Sequence, residues 1–350
     1  MTARIVADPI EDASWPKLLD QHPAASIFHS PGWLNALKQT YGYEPFVVTT
    51  SQGPILENGM VMCRVKGWGR RLVSLPFSDH CDPLVDKPDD LSDLIAHLAR
   101  EVRNAGWRSV EWRPRTPIAD RFKVAVHSSG LKASDEYCLH RLDLRREPTE
   151  IFRRFHPSGT QRAIRRAERS GVTYETGTSD RLRLRFYRLL RMTRRRHGVP
   201  PQPIAWFRNL FACLGDRIAI HEASKDGRAI ASMVTVTFKK TMYYKYGGSD
   251  ASFHHLGAMP FLFWRVIQDA HARGFTHLDL GRSNIDQPGL IAFKDHLGAS
   301  CSTLTYYRYP GTQAAAARYP WMSRVARGVF AHLPDVTLDL AGRLLYRHLG

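Results

Sequence analysis

The sequence predicts a mixed α/β fold with mixed sheets: two related lobes in tandem, followed by a helical tail. Three observations carry this expectation. The 350 residues suffice for two domains, since one domain takes about 100–200 residues. Hydrophobic residues make up 43% of the chain and charged residues 24%, a globular balance able to bury two cores. Finally, NAGWRSVEWR (104–113) is echoed by ARGFTHLDLG (272–281). Each reads as a helix end, a Gly, an aromatic residue, two polar residues and a short strand with one acid.

The elements around the two echoes agree. In the first half, FVVTT (46–50), GMVMCRV (59–65) and RLVSLPF (71–77) read as strands, and 88–104 has a helical period. In the second half, RIAIHEA (217–223), AIASMVTVTF (229–238) and TMYYKYGG (241–248) read as strands before a helix over 257–273. Asp226-Gly227 is a tight hairpin signal. Gly106 and Gly274 fall where helix C-caps belong, because glycine takes positive φ at little cost. Between the halves, Thr149 or Glu150 opens a helix that Pro157 and Gly159 interrupt. Thr160 is placed to cap a second helix, ended by Gly171, and Ser179 a third, with Leu182, Phe186, Leu189 and Leu190 along one face. Gly198 and a proline cluster stop the third helix. After an Ala-rich stretch, WMSRVARGVFAHLP and DLAGRLLYRHLG read as basic amphipathic helices that pack on the body or lie on a membrane surface. The expected division is 1–143, then 144–310 opening with a basic helical segment (144–198), then a tail over 311–350.

Composition excludes several classes. No apolar run approaches the roughly 18 residues that span a bilayer. The acidic N-terminal stretch is unlike a signal peptide, and five scattered cysteines without a Cys-x-x-Cys pair fit reduced thiols and a cytoplasmic location. The net charge of +17 is concentrated: residues 145–196 hold 16 Arg against five acids, a surplus of 11. Such a block attracts phosphates on nucleic acid, nucleotide sugar or anionic membrane. Arg162, Arg165 and Arg166 share a helix face, and with Lys38 are candidates to hold phosphates of an acceptor; solvated surface arginines are the plain alternative. Tyr244 and Tyr246, two apart on a strand, are expected to share a face and to line a pocket or a core. Asp79, His80, Cys81 and Asp82 crowd together, but neighbours in a strand point to opposite faces, so no metal site is expected.

The order hairpin, strand, Gly-containing loop, helix, strand resembles the acetyltransferase (GNAT) core. FHSPGWLNALKQTYGYEPF (28–46), GRRLVSLPFSDHCDPLVD (69–86), TQRAIRRAERSGV (160–172), YYKYGGSD (243–250) and GLIAFKDHLGA (289–299) together resemble the Fem family of aminoacyltransferases, which build peptidoglycan cross-bridges. The tail is similar to relatives associated with polysaccharide systems. The resemblance covers roughly 26–345 and implies a tandem pair of GNAT-like lobes. GNAT proteins hold coenzyme A at a helix N-terminus through Gln/Arg-x-x-Gly-x-Gly/Ala. Here the stretch is His254 to Met259 and keeps Gly257 alone, so weak coenzyme A binding is expected.

The resemblance implies roles. Lys294, after Phe293, would meet the donor's acyl ester and stabilise the oxyanion of acyl transfer; the alternative is an exposed lysine balanced by Asp295. Asp86 would hold or deprotonate the acceptor amine, or simply form a turn before Pro88. Tyr244, Tyr246, Gly257, Asp279, Arg282 and Phe293 would surround the donor; Asp279 could equally cap a neighbouring helix. The implied function is transfer of an aminoacyl group from aminoacyl-tRNA, as co-substrate and partner, to an anionic, nucleotide- or lipid-linked envelope precursor. No permanently bound cofactor is expected. An acyl-CoA-dependent N-acyltransferase acting on an amino sugar, and a non-catalytic protein docking on nucleic acid or membrane, are the other readings.

Overall fold

The structure, a computed structural model, describes residues 3–6, 8–66, 69–115, 129–310 and 324–348. The chain forms two compact units, one of Met1–Tyr137, Thr303–Arg318 and Arg343–Gly350, the other of Cys138–Ser302 and Tyr319–Gly342. These bounds differ from the expected division. The break falls within strands, and the tail contributes to both units instead of standing apart. The Ala-rich stretch 311–320 lies outside the described residues.

The first unit contains β1 (Arg4–Val6), α1 (Ser14–Gln21), α2 (Pro31–Tyr41), β2 (Glu44–Thr49), β3 (Met60–Val65), β4 (Arg71–Val73), α3 (Pro88–Asn104) and β5 (Ser109–Trp112). β2, β3 and β4 pair antiparallel in sequence order, and β5 lies parallel to β4. α3 makes the crossover that a parallel pair needs. Pro88 opens it, Asp89 and Asp90 occupy its first turn, and Leu91, Leu94, Ile95, Leu98 and Val102 form its buried stripe. Gly106, at φ +68°, follows its end. The strand expected over 71–77 stops at Val73, because Leu75 and Phe77 take positive φ (68° and 58°) and turn the chain out of the sheet.

The second unit holds the latter half of β6 (Lys132–Asp143), then α4 (Pro148–Arg154), α5 (Arg162–Arg169), β7 (Thr173–Gly177), α6 (Asp180–Arg196) and α7 (Ile204–Leu214). β8 (Ile218–Lys225), β9 (Arg228–Phe238), β10 (Thr241–Ser249), α8 (Ala258–Ala272), β11 (His277–Asn284) and α9 (Pro288–Asp295) follow, and β12 (Ser300–Tyr309) leads back to the first unit, where Tyr307 pairs with Trp112 of β5. The first unit's topology recurs. β8, β9 and β10 are antiparallel in order, α8 crosses over, and β11 is parallel to β10. Strand, strand, strand, helix, strand therefore appears twice with the same pairing directions, as the two echoes predict.

Asp226 and Gly227, at φ 50° and 75°, make the two-residue turn between Lys225 and Arg228. The end of α8 is a Schellman motif: Phe275 N–H donates to Ala270 O at 3.0 Å and Gly274 N–H to His271 O at 2.9 Å. Ser179 caps α6 through Leu182 N–H. Thr160 does not cap α5. It lies buried inside a π-helical turn, Pro157–Gln161, that runs directly into the helix, and the entry is tied instead by His156 accepting from Gly159 N–H at 3.1 Å.

The tail folds as α10 (Arg324–His332) and α11 (Asp335–Leu345). Arg191 and Arg195 of α6 hold Asp335, and Arg191 and Tyr187 hold Asp339. Among the described residues no helix is long and apolar enough to cross a membrane.

Candidate active site

A cavity of about 440 Å³ opens in the second unit where β10, α8, α9 and the end of α6 meet. Its walls are largely apolar: Ile230, Tyr244, Phe253, Met259, Phe263, Leu290 and Phe293. Polar and charged groups converge on it from Thr193, Arg196, His197, Ser249, Asp250, His254 and Lys294, the mixture of apolar wall and placed polar groups usual in a small-molecule site.

Two glycines let β10 form the floor. A Cβ on Gly248 would sit 2.5 Å from the backbone of Leu189 and Leu190, so only glycine lets α6 lie this close to the strand. A Cβ on Gly247 would strike the Tyr244 hydroxyl. Ser249 then ties the elements together. Its N–H donates to Thr193 Oγ1 at 2.8 Å, its carbonyl accepts from Thr193, and its hydroxyl meets His254 Nε2 at 2.9 Å. Burial lowers the His254 pKa, and the Arg196 charge lowers it further.

Tyr244 and Tyr246 do not share a face. The register shifts between them: Tyr244 pairs with Thr235 and Tyr246 with the next residue, Val234. The bulge at Lys245 absorbs one residue, so side chains two apart in sequence point to opposite sides. Tyr244 stays at the cavity, its ring 5.0 Å from Phe263. Tyr246 turns to α7, where its hydroxyl accepts from Trp206 Nε1 at 2.8 Å.

Gly257 stands at the cavity's helix end. It has φ +78°, and a Cβ there would meet Ala163 O of α5 at 2.5 Å. It caps α8, whose first turn carries Ala258, Met259 and Pro260. A helix start offers N–H groups to an anion. Proline at the third position removes one of them, so this terminus is a poorer phosphate cradle than a full one.

Lys294 is not an exposed lysine. It is 3% exposed, lines the cavity, and its Nζ donates to Gly281 O at 2.9 Å and Arg282 O at 3.3 Å. Carbonyl dipoles at the end of β11 therefore hold a buried cation against the cavity wall. The adjacent Asp295 meets His140 Nε2 at 3.1 Å; burial and then the Lys294 charge lower the His140 pKa. Phe293 packs on Phe263, 5.5 Å between centroids. Asp279 is buried inside β11 and accepts from Gly281 N–H at 2.8 Å, a contact within its own strand. Arg282 contributes its carbonyl to Lys294, and neither it nor Asp279 lines the cavity.

The other candidates lie elsewhere. Arg162, Arg165 and Arg166 are exposed on α5, whose Ala163, Ile164 and Ala167 are buried. Lys38 and Asp86 belong to the first unit. Lys38 is bound to Asp8 at 2.8 Å; Asp86 is 88% exposed, 3.7 Å from His22 Nε2. His80, Cys81 and Asp82 lie outside any strand and are all buried, so strand alternation does not govern them. Cys81 Sγ sits 3.3 Å from His29 Nε2, which also donates to Asp82 O. Buried Glu111 binds Arg113 and Arg308; burial alone would raise its pKa, but the two guanidinium groups hold it at about 2. Thr193, Arg196, Phe253 and Phe263 line the cavity without having been singled out in the sequence. The glycine pair at 247–248, which draws α6 onto the strand, was the available signal.

Residues 156–294 match the model of a family described as acetyltransferase (GNAT) domain, a span that includes every lining residue of the cavity. Over 183 residues the chain is 24% identical to the UDP-N-acetylmuramoylpentapeptide-lysine N(6)-alanyltransferase of Weissella viridescens, covering 48% of this chain and 54% of that protein. The match thus spans about half the length of that relative. The fold is similar to the crystal structure of FemX (TM-score 0.68, 14% identity, 88% of this chain and 97% of that one). It is also similar to a tandem GNAT protein from the clavulanic acid biosynthesis pathway (TM-score 0.54, 13% identity, 87% and 98%). The chain carries a GNAT-type domain within a tandem GNAT-like fold. More particularly, it is homologous to the Fem alanyltransferase of Weissella viridescens.

Proposed function

We propose that the chain is an acyltransferase that moves an aminoacyl group from aminoacyl-tRNA to an amine on an anionic cell-envelope precursor, nucleotide- or lipid-linked, in the cytoplasm. The observation that carries this is Lys294, a buried ammonium held on two carbonyls at the wall of an apolar cavity. The acceptor amine attacks the ester carbonyl; the C–N bond forms and the carbonyl oxygen takes up negative charge. A cation preorganised in a poorly solvated wall favours that oxyanion more than it favours the neutral ester. Collapse breaks the bond to the ribose oxygen, which leaves with a proton, while the amine loses one. Homology to the alanyltransferase supports aminoacyl transfer, and Pro260 in the first turn of α8 argues against a full coenzyme A cradle. Asp86, Lys38 and the α5 arginines are assigned to the acceptor side.

Lys294→Met tests this by single-turnover transfer, and should lower the rate about 100- to 1,000-fold, roughly 3–4 kcal/mol. The substitution also leaves two carbonyls without their donor, at about 1–3 kcal/mol each, so the variant's melt is read alongside. Lys294→Arg, which keeps the charge, should recover part of the rate. A folded Met variant that transfers at the wild-type rate would remove Lys294 from the site. The apolar lining also suits an acyl-CoA donor. Tight acetyl-CoA binding by calorimetry, near micromolar or about −8 kcal/mol, would replace the tRNA reading with an N-acyltransferase one.

A further inference from the structure

α11 carries apolar side chains on its outward face as well as on the inward stripe of Leu338, Ala341, Gly342 and Leu345. A helix on a protein surface ordinarily points its apolar stripe inward and its acids to solvent. Here both acids, Asp335 and Asp339, are drawn onto Arg191, Arg195 and Tyr187 of α6. Leu338 and Gly342 alone are buried within α11, and a Cβ on Gly342 would collide with Pro201 O, so the helix is pressed close along that line. What remains outside is Val336, Leu340 and Leu344, exposed at 79%, 53% and 56%. They are spaced i, i+4, i+8, and so form one stripe. Arg343 is exposed beside them, Arg347 just after, and Val329 of α10 before them. The outward face therefore presents aliphatic side chains and arginines and no acid.

We propose that α11 is an interfacial helix that seats this chain on an anionic lipid surface. The occupant follows from two features of the face. Three aliphatic side chains along one helix bury themselves readily among acyl chains at the headgroup boundary. The arginines flanking them match the negative potential of acidic headgroups, and the ion pairs with α6 have taken away the only acids of the helix that would oppose it. The face is independent of the acyl-transfer reading, because none of its residues lines the cavity.

The test is co-sedimentation of the full chain with vesicles of phosphatidylcholine alone and of phosphatidylcholine with phosphatidylglycerol at about 3:1. Binding is expected to the acidic vesicles and to weaken with added salt. Val336→Gln with Leu340→Gln should weaken it about tenfold or more while leaving the thermal melt unchanged, since both side chains are exposed. Arg343→Gln should weaken binding to acidic vesicles alone. Failure to sediment with acidic vesicles, or equal binding by the glutamine variant, overturns the proposal. So does a lipid-free dimer, seen by sedimentation velocity, that the same variant dissociates, because the stripe would then be covered by a second copy. RNA binding lost in that variant with vesicle binding intact would overturn it too.

Discussion

His221 sits in the middle of β8 with no exposed surface, its Nδ1 2.7 Å from the Tyr174 hydroxyl and its Nε2 2.8 Å from Thr235 Oγ1. Burial lowers its pKa from 6.5 to about 4. In the first unit His29 is likewise buried and lowered to about 4. The sign follows from proton counts. Between the unfolded value and the folded one, the unfolded chain takes up a proton that the native histidine refuses. Stability is therefore fully present above about pH 6.5 and is lost as pH falls towards 4, by up to about 3 kcal/mol for each histidine. Urea melts of wild type from pH 7 to 4.5 should show this loss, and His221→Gln should remove about half of it, leaving the His29 share. An unchanged slope in the variant would mean that His221 does not stay neutral. At this scale the sequence was least legible. Lys294 reads equally as a surface lysine or a site residue, because its burial depends on how α9 is rotated against β11. Asp86 fits the Fem pattern just as well, yet its carboxylate is almost fully in solvent. Local pattern does not fix exposure.

Elements were far more legible, for a physical reason: their signals are periodic or stereochemical. The α3 stripe, the Asp226-Gly227 turn, the two glycines after α3 and α8, and the Ser179 cap all fell where residue chemistry requires. Tyr246 was misread because a bulge inserts a residue without any mark in the sequence, and Thr160 because a π-turn continues the helix past the expected cap. Gly257 allows the element scale to be tested. Gly227→Ala meets nothing within 4 Å and pays only for positive φ, about 1–2 kcal/mol. Gly257→Ala has the same φ cost and in addition drives a Cβ to 2.5 Å from Ala163 O. Overpacking of that kind costs a further 1–3 kcal/mol or so, about 2–5 in all. Gly257→Ala should therefore melt clearly below Gly227→Ala, and should lose transfer as well, because the entrance of α8 must move. Equal melts for the two variants would show that α5 yields freely and that the contact is not tight.

For the whole molecule, the question is what its positive charge does once folded. In the block 145–196, Arg145, Arg146, Arg181, Arg183, Arg185, Arg191 and Arg195 are each paired with an acid. Four of the carboxylates, Asp143, Glu222, Asp335 and Asp339, come from outside the block, so folding neutralises part of what the sequence displays. The surplus is not erased evenly. Arg153 and Arg154 of α4 and Arg162, Arg165, Arg166 and Arg169 of α5 are all exposed, and among the described residues none of them is ion-paired. Six of the nine arginines left without an ion pair among the described residues thus lie on two short consecutive helices, and the other three, Arg188, Arg194 and Arg196, lie on α6. The acceptor's phosphates, to which the α5 arginines are assigned, do not exhaust this positive field; if the backbone of the donor tRNA also runs over it, binding of labelled tRNA must release counterions, and affinity must fall steeply with salt. With three phosphates neutralised, raising salt from 50 to 200 mM should weaken binding by about tenfold or more. Replacing Arg162, Arg165 and Arg166 together by glutamine should remove about two to three from the logarithmic salt slope. The melt should hardly change, since the three side chains point to solvent and exposed substitutions cost less than about 0.5 kcal/mol each. Affinity that is flat in salt, or a variant with the wild-type slope, would move the tRNA contact away from α5.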